Sequence, residues 1–518
     1  MRKRWWIYVL IAIVVVVAAG AILAVKLRPI VQQKVITMIG DSFNSDVTFT
    51  GLSVIPGRTI YASVDNVVAK MRDRQGYPPL LKARTIRVEI RLTDLFKVPV
   101  HISQVRVVGM ELHVPPRKDK STGNAPPADA KPKKALPQFV VDQVNADGSS
   151  LEVIPRKAGK VPLEFDLDHM HILHMGSKEA GEYYADLTNP KPQGRIVAHG
   201  NFGPWDRDEP GGTPVDGKYT FSDADMSTIH GLGGTLSSTG EYSGQLDTIN
   251  ITGKTEIPNF ELTIAHNPVP LETQFSAIVD GTTGDTYLQD VEATLISSKL
   301  KVTGQIVGIQ AAHGHAIDVQ AQSEGARVQD LIRVAVPGKQ VLLTGGVTLK
   351  TKIYIPPGQE NIVDKLSLDG TFGVSGARFT QKEVQTKVDT LSKKGSGRPG
   401  DADFGSVLSD LRGSFRMRNG VMTFSQLSFN VPGAAVNLSG TYALNSGQMD
   451  FHGTLRMDAK LSQTMTGVKS VLVKPFNSFF SKKGAGTELP IKITGTRDNP
   501  QFGLDFGNKK NKSDKQGK

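Results

Sequence analysis

The stretch "NGVMTFSQLSFNVPGAAVNLSG", residues 419–440, alternates apolar and polar side chains between turn signals. It opens with Asn419-Gly420 and is broken at Pro432-Gly433. Asn-Gly between two alternating runs is the strongest short-range hairpin signal, and successive side chains of a strand point to opposite faces of the sheet. The stretch therefore predicts an antiparallel meander with one apolar face, and the fold depends on what covers that face.

The same alternation extends over most of the 518 residues. Short apolar-polar runs are separated by Gly-Gly, Asn-Pro, Asp-Gly and Pro-Gly signals, and we count roughly 25 of them. The 53 glycines fit this pattern, because tight turns need residues that tolerate positive φ. Helical patterns are few: a turn at 92–96 and helices near 326–336 and 379–394. The sequence predicts a mainly β protein built on a long antiparallel sheet with a few short helices.

The N-terminus carries a different signal. Residues 5–25 contain no charge, and as a helix they would span about 31 Å, the thickness of a bilayer core. Three basic residues precede them, which places the N-terminus in the cytoplasm and the rest of the chain outside it. A cleaved signal peptide is the alternative, with Ala19-Gly20-Ala21 as its cleavage site, but its apolar region would be shorter. We predict an uncleaved membrane anchor, continued by an amphipathic stalk, with Trp5, Trp6, Val14, Val17 and Leu23 among its lipid-facing residues.

The chain divides by composition into six parts. They are a cytoplasmic start, membrane helix and stalk at 1–40, a β region at 41–114, a Pro/Lys-rich linker at 115–137, a repetitive β region at 138–400, a C-terminal β region at 401–507 and a basic disordered tail at 508–518. One pattern, ITGxxxxPxFxL, begins at Ile251 and again at Ile493. We interpret its two copies as structural units of one kind.

Charge and cysteine content exclude several classes of function. The net charge of +11 is concentrated in the first 40 residues, the linker and the tail, so that no folded part is strongly basic and nucleic-acid binding is not expected. The sequence has no cysteine, which excludes disulfides, thiolate catalysis and cysteine-ligated zinc.

No catalytic or cofactor motif is present, and we predict neither enzymatic activity nor a cofactor. His169 and His171, and likewise His313 and His315, could each share a metal ion, but no third ligand has a recognisable spacing. The acidic group Asp206, Asp208 and Glu209 lacks the pattern of a calcium loop. We interpret the histidines as surface residues and the acidic group as a solvated loop. The glycine-rich run at 231–240 is interpreted as turns.

The apolar face of so long a sheet must either be covered by other parts of the protein or bind an apolar ligand. Either the sheet folds on itself as a sandwich or barrel, or it curls into a trough whose lining holds something apolar. Periodicity alone favours the sandwich. The amphipathic stretch "LSQTMTGVKSVLVKPFNSFFSKK", residues 461–483, could dock on a membrane, cap the end of a trough, or pack on the C-terminal sheet.

Two parts of the chain resemble the AsmA-like family of bacterial envelope proteins. The first is "LLKARTIRVEIRLTDLFKVPVHISQVRVVGMELHVP" at 80–115, which follows a membrane anchor. The second combines "LRGSFRMRNGVMTFSQLSFNVPGAAVNLSGTYAL" at 411–444, the amphipathic stretch, and "LPIKITGTRDNPQF" at 489–502. The resemblance covers the 41–114 and 401–507 regions and relates the chain to the repeating β-groove lipid-transfer proteins.

This resemblance implies an inner-membrane protein whose bulk is periplasmic and whose curled sheet binds phospholipid acyl chains in support of lipid transport and outer-membrane homeostasis. Membrane phospholipid, the inner membrane and envelope proteins would be its partners. A non-catalytic assembly factor for outer-membrane proteins is the alternative, and an enzyme acting on envelope polysaccharide is a further one. Ten residues would line the groove: Phe415, Met417, Met422, Phe424, Leu427, Phe429, Val436, Leu438, Met449 and Phe451.

Overall fold

The structure is a computed structural model. It describes residues 29–505 with the exception of 31, 34–35, 38–39, 119–137, 157–158, 177, 191, 310–313, 339–340, 401–405 and 465–485. The predicted membrane anchor, with Trp5, Trp6, Val14, Val17 and Leu23, the basic tail and most of the 461–483 stretch lie outside the described residues. Within the part described, no helix combines the length and the apolar character needed to cross a membrane.

The described chain consists mainly of β-strands, as predicted. In chain order they are β1 Ser45–Ile55, β2 Thr59–Met71, β3 Leu81–Arg91, β4 Val100–Ile102, β5 Gln104–Val114, β6 Phe139–Val153, β7 Leu163–Gly176, β8 Gly181–Pro190, β9 Gln193–Phe202, β10 Pro214–Asp225, β11 Leu232–Gly233, β12 Thr235–Gln245, β13 Thr248–Leu262, β14 Val269–Val279, β15 Thr286–Leu295, β16 Ser298–Gly308, β17 His315–Arg327, β18 Leu343–Ile355, β19 Ser367–Phe379, β20 Ser409–Arg418, β21 Val421–Val431, β22 Ala434–Ala443, β23 Gln448–Met457, β24 Thr487–Thr496 and β25 Asn499–Leu504.

These strands form one 25-stranded sheet. Almost every strand pairs antiparallel with its neighbour in sequence. The two-residue β11 pairs only with β13, so β10 pairs directly with β12. Pairing continues across the boundaries drawn from composition, since β5 pairs with β6 and β19 pairs with β20. The edge strands of the described sheet are β1 and β25.

The proline-rich linker coincides with a change of strand direction. β4 and β5 both pair with β6 in parallel. Parallel neighbours need a crossover that returns the chain to the same end of the sheet, whereas antiparallel neighbours need only a short turn. Residues 115–138 make this connection, and 119–137 of them lie outside the described part. The linker therefore joins two neighbouring strands of a continuous sheet.

Short helices occur at the three places where the sequence predicts them, and others were not predicted. A 3-10 helix spans Asp94–Phe96, and three α-helices are α1 Val328–Ala335, α2 Ile362–Lys365 and α3 Lys382–Gly395. Further 3-10 helices cover Pro210–Gly212, Met226–Thr228 and Leu461–Thr464. The described residues between 29 and 42 are helical, as expected for a stalk.

The two copies of the ITGxxxxPxFxL pattern fold differently, and the prediction of like units was wrong. The first copy lies within the single strand β13, which continues to Leu262. The second copy is a hairpin, because β24 ends at Thr496 and β25 begins at Asn499. Arg497 and Asp498 of the second copy occupy the turn between the strands. The four variable residues inside the pattern thus lie within a continuous strand in the first copy and at the turn of a hairpin in the second.

Each strand has an apolar face and a polar face. The apolar sides of successive strands form one surface, here called the inner face, and the charged residues lie on the opposite, outer face. In β20, for example, Phe415 and Met417 are buried on the inner face, whereas Arg416 and Arg418 are exposed on the outer one. The core clusters of the protein lie along this inner face.

The sheet curls, and contacts between its two long borders show how. Connections between antiparallel strands alternate between one border and the other. Lys160 of the β6–β7 connection pairs with Asp285 of the β14–β15 connection at 3.0 Å. The sheet steps from β7 through β8, β9, β10, β12 and β13 to reach β14, so the two borders meet at an offset of six strands.

The same six-strand offset recurs along the molecule. Arg117, after β5, pairs with Asp247, after β12, at 2.7 Å. Ile362 N, between β18 and β19, donates to His230 O, between β10 and β12, at 2.9 Å. Arg497, between β24 and β25, donates to Pro337 O, between β17 and β18, at 3.4 Å. The sheet is therefore a coil of nearly constant pitch, and we call the line where its borders meet the seam.

Glycines on the inner face allow neighbouring strands and rings to come close. Gly440 lies between Phe424 of β21 and Phe451 of β23 in the ladder. A Cβ at this position would lie 2.1 Å from Asp450 O and 2.8 Å from Cδ1 of Phe451. The Asp450 carbonyl and the Phe451 ring therefore occupy the space that a side chain at 440 would need.

We expect Gly440→Ala to reduce the free energy of unfolding by about 1–3 kcal/mol, the usual cost of overpacking a filled site. The adjacent Ser439, exposed on the outer face, provides the control, since Ser439→Ala should change it by less than about 0.5 kcal/mol. Urea unfolding of both variants measures the difference. Equal stability of the two would show that Phe451 does not lie against Gly440.

Candidate functional site

The ten residues predicted to line a groove lie together on the inner face of β20–β23. Neighbouring strands pair them directly: Phe415 with Phe424, Met417 with Met422, Leu427 with Leu438 and Phe429 with Val436. Met449 and Phe451 of β23 extend the surface on the far side of β22. Period-two alternation and the hairpin turns thus place all ten side chains on one continuous apolar surface.

Half of these ten residues are partly exposed. Five of the ten residues, Phe415, Met417, Val436, Leu438 and Phe451, are no more than 9% exposed. The other five, Met422, Phe424, Leu427, Phe429 and Met449, remain partly exposed. Apolar side chains that are covered by a second sheet are normally fully buried.

The packing partners explain this partial exposure. The core formed by Val436, Leu438 and Phe451 is surrounded by residues of β21–β24, and its remaining partner is Leu391 of α3. Among the described residues, the partners of this core are thus strand neighbours and one helix, without a second sheet layer. The sandwich that periodicity alone favours is not what the structure shows here.

Among the described residues, helices cover the two ends of the surface. At one end, Val388 and Leu391 of α3 pack on Val431, Ala434 and Met457. At the other end, Ile362 and Val363 of α2 pack on Met417, joined across the seam by Leu232 and Leu262. Phe424 and Leu427 lie between these caps and remain partly exposed.

Further residues belong to the surface and were not among the ten. Phe372 of β19 lies 6.2 Å from Phe415 and 6.4 Å from Phe424 between ring centroids. Phe379 lies 6.2 Å from Phe429. β19 alternates as β21 does, but Gly370, Gly373 and Gly376 dilute its apolar pattern. Ile491 and Ile493 of β24 complete the surface on the other side.

Three tyrosines on the inner face are partly withdrawn from water. Burial raises the pKa of Tyr242 on β12 to about 12 and also raises the pKa of Tyr219 on β10. Burial is likewise the main cause of the raised pKa of Tyr442 on β22. The outer face is polar in contrast: a cleft of about 500 Å³ across β13–β17 is lined by charged and amide side chains such as Lys254, Glu272 and Lys301.

The apolar surface ends at the edge strand β25. Phe502 is paired with Ile493 and is 61% exposed, with the ammonium of Lys387 at 5.3 Å from its ring centroid. On the outer face, His452 of β23 contacts Asp505, just after β25, at 2.8 Å and Asp450 at 3.0 Å. These contacts fasten the end of β25 to the sheet.

The attachment of β25 should depend on pH. Hydrogen bonding to Asp505, and then to Asp450, raises the pKa of His452 above its ordinary value of 6.5. A raised folded-state pKa means that this stabilisation is fully present below the unfolded value and is lost as pH rises through the folded value. We expect the β25 amides to be better protected from hydrogen exchange near about pH 6 than near about pH 8.5.

Protection factors corrected for intrinsic exchange measure this effect. His452→Gln should remove the pH dependence at β25 and leave the exchange of β13 unchanged. A pH dependence that survives in the variant would contradict the assignment to His452.

The candidate metal ligands have other partners. His169 contacts Asp147 at 3.1 Å, and His171 contacts Asn145 at 2.7 Å, all on the outer face. His315 contacts Thr283 O at 3.0 Å, and His313 lies outside the described residues. Within the part of the chain that the structure describes, no group of three or more such side chains is placed to hold a metal ion.

The acidic loop has a structural role. The Asp206 carboxylate accepts from the backbone N–H groups of Asp208 and Glu209, at 3.1 and 2.9 Å. Glu209 also pairs at 3.0 Å with Arg74, whose side chain is 7% exposed. The interpretation as a solvated loop was therefore wrong for Glu209, which joins the two borders at the seam. The sequence could not reveal this ion pair, since Arg74 and Glu209 are distant from each other in the chain.

Comparison of the chain with protein-family models, with curated proteins and with solved structures finds no match in any of the three.

Proposed function

We propose that the protein is anchored in the inner membrane by residues 5–25, lies otherwise in the periplasm, and holds lipid acyl chains on the inner face of β20–β24. In this role it supports phospholipid transport and outer-membrane homeostasis without catalysis. The observation that carries the proposal is the apolar surface around Phe424 and Leu427, which is capped at its ends and partly exposed between them. The resemblance of the 80–115 and 411–502 segments to the AsmA-like family supports the same proposal.

The chemistry of the surface suits a hydrocarbon chain. Its members are Phe, Met, Leu, Val and Ile side chains, and the charged residues of the same strands point away from it. Each CH₂ group transferred from water to such a surface contributes about 0.8 kcal/mol. An acyl chain lying along the strands would cover the partly exposed side chains and bury its own methylene groups together with them.

A protein-assembly factor acting through protein contacts remains the second candidate. It would not need an accessible inner face, because outer-face or edge contacts could serve it. The partial exposure of five large apolar residues on the inner face of β21 and β23 favours the lipid proposal, since exposed apolar surfaces mark binding sites in soluble domains.

Site-specific photocrosslinking tests the proposal without relying on a variant that might unfold. A photoreactive phenylalanine analogue at Phe424 should form a covalent adduct with phospholipid in cells, detected by mass spectrometry of the purified protein. The same analogue at Thr423, which is exposed on the outer face of the same strand, should form none. Phe429 and its outward neighbour Asn430 form a second matched pair.

Adducts at both positions of each pair would indicate non-specific membrane contact. Absence of lipid adducts at Phe424 and Phe429, together with absence of co-purifying phospholipid, would remove the lipid proposal and leave the assembly factor. Protein adducts at Phe424 would favour the assembly factor directly.

A further inference from the structure

The three most exposed large apolar side chains in the described part of the chain lie near one end of the edge strand β1. Val98 is 80% exposed, Phe96 is 74% exposed and Ile55 is 62% exposed. Phe96 and Val98 belong to the connection between β3 and β4, and Ile55 is the last residue of β1. Exposed apolar residues that occur singly are common, but a group of them marks a site of interaction.

Backbone contacts bring the two segments together. Leu92 N, just after β3, donates to Arg58 O, just before β2, at 3.1 Å. The β1–β2 turn and the β3–β4 connection therefore lie side by side at one border of the sheet. We call residues 55–58 together with residues 91–98 the corner.

The corner is held in place from the inside. Leu95 of the Asp94–Phe96 helix is buried in one core cluster with Ile60 of β2. Asp94 is also buried, and its carboxylate contacts the Lys97 ammonium at 2.7 Å. Consecutive residues of a 3-10 helix point about 120° apart, so the packing of Leu95 directs Phe96 away from the core.

The corner is basic. It contains three cations, Arg58, Arg91 and Lys97, and one acidic residue, Asp94. Arg58 and Arg91 are exposed, whereas the charge of Lys97 is balanced by its contact with Asp94. Two cations therefore remain beside the exposed apolar side chains. This combination suits the interface of a bilayer that contains anionic lipid.

A lipid surface fits the corner better than a protein partner does. Specific protein interfaces bury roughly 800 Å² on each partner, and they require a complementary surface. The corner presents its apolar side chains on a turn and a short connection at the border of the sheet. Insertion of a few apolar side chains into a bilayer interface requires no complementary surface.

The corner and the stalk lie at opposite ends of the edge strand. Helical residues 40–42 precede β1, which begins at Ser45 and ends at Ile55. With about 3.3 Å per residue, this strand is about 35 Å long. The stalk and the corner could therefore hold the two ends of β1 at the same membrane surface.

We propose that the corner binds the bilayer that carries the anchor. Ile55, Phe96 and Val98 insert between the lipid headgroups, and Arg58 and Arg91 pair with anionic phosphate groups. The proposal rests on the membrane anchoring in the proposed function and adds a second point of attachment. Two attachments fix the direction of β1 along the membrane, whereas the stalk alone would let the sheet rotate.

Fluorescence quenching in the full-length chain tests the contact, and the absence of native cysteine makes the labelling site unique. Val98→Cys is labelled with an environment-sensitive fluorophore and reconstituted in vesicles of phosphatidylethanolamine and phosphatidylglycerol that contain nitroxide-labelled lipid. Val197→Cys, at an exposed valine on the outer face of β9, is the matched control. Leu23→Cys reports on the anchor.

We expect nitroxide lipid to quench the probe at residue 98 at least about threefold more strongly than the probe at residue 197, because only the first would lie at the bilayer interface. Arg58→Gln with Arg91→Gln should weaken the quenching at residue 98, since both cations then lose their attraction to anionic lipid. Replacing phosphatidylglycerol with phosphatidylcholine should have the same effect. Phe96→Ser should also weaken it and leave the urea unfolding midpoint unchanged.

Equal quenching at residues 98 and 197, together with strong quenching at residue 23, would overturn the corner contact and leave the anchor in place. Absence of quenching at residue 23 would instead contradict the proposed membrane anchoring, and the corner contact with it. A photoreactive phenylalanine analogue at Phe96 distinguishes the kind of partner in cells. Adducts with protein and none with lipid would assign the corner to a protein partner and overturn the proposal.

Discussion

The fold depends on one constraint: a sheet of 25 strands has an apolar face, and the described part of the chain contains no second sheet to cover it. Exposing the whole face to water would be strongly unfavourable, because each buried Val, Leu, Ile, Phe or Met side chain contributes about 1.5–3 kcal/mol. Curling brings inward side chains of neighbouring strands together and removes part of that area from water. Neighbouring strands rotate by roughly 20–25°, so a long sheet can curl without breaking its ladder.

Ion pairs fix how the coil closes. The apolar inner face would tolerate several offsets between the two borders, since hydrophobic contact is not directional. Arg74 with Glu209, Arg117 with Asp247 and Lys160 with Asp285 connect specific residues, and all three pairs are largely shielded from water. A partly buried ion pair adds little net stability, yet leaving one partner unpaired is costly. The first pair spans five strand steps and the other two span six, so these pairs select an offset of five to six strands over its alternatives.

The sequence predicts local structure well in this protein. Alternation and the Asn419-Gly420 turn, where both residues have positive φ, place the ten residues on one face of the sheet.

The sequence predicts the curling of the sheet poorly, because Lys160 and Asp285 are far apart in the chain and neither has a distinctive pattern around it. The parallel β5–β6 pair is hidden for a related reason: composition marks the linker as polar and proline-rich but does not show where the chain returns. Phe424 is partly exposed because no second sheet in the described part of the chain covers it, and alternation cannot reveal whether a second sheet is present.

Alternation also fails to distinguish a filled inner face from an open one, but side-chain size helps to do so. The inward residues of β2, such as Ala62, Val64 and Ala69, are small aliphatic groups that pack closely. In β19–β23, rings lie beside glycines of neighbouring strands: a Cβ on Gly413 would be 2.7 Å from Phe372, and one on Gly370 would be 3.0 Å from Phe415. An aromatic ring that packs over a glycine of the neighbouring strand lies flat against the sheet and does not extend into the space that the coil encloses. Glycine paired with an aromatic residue on the inner face is thus the pattern that keeps this section both apolar and open.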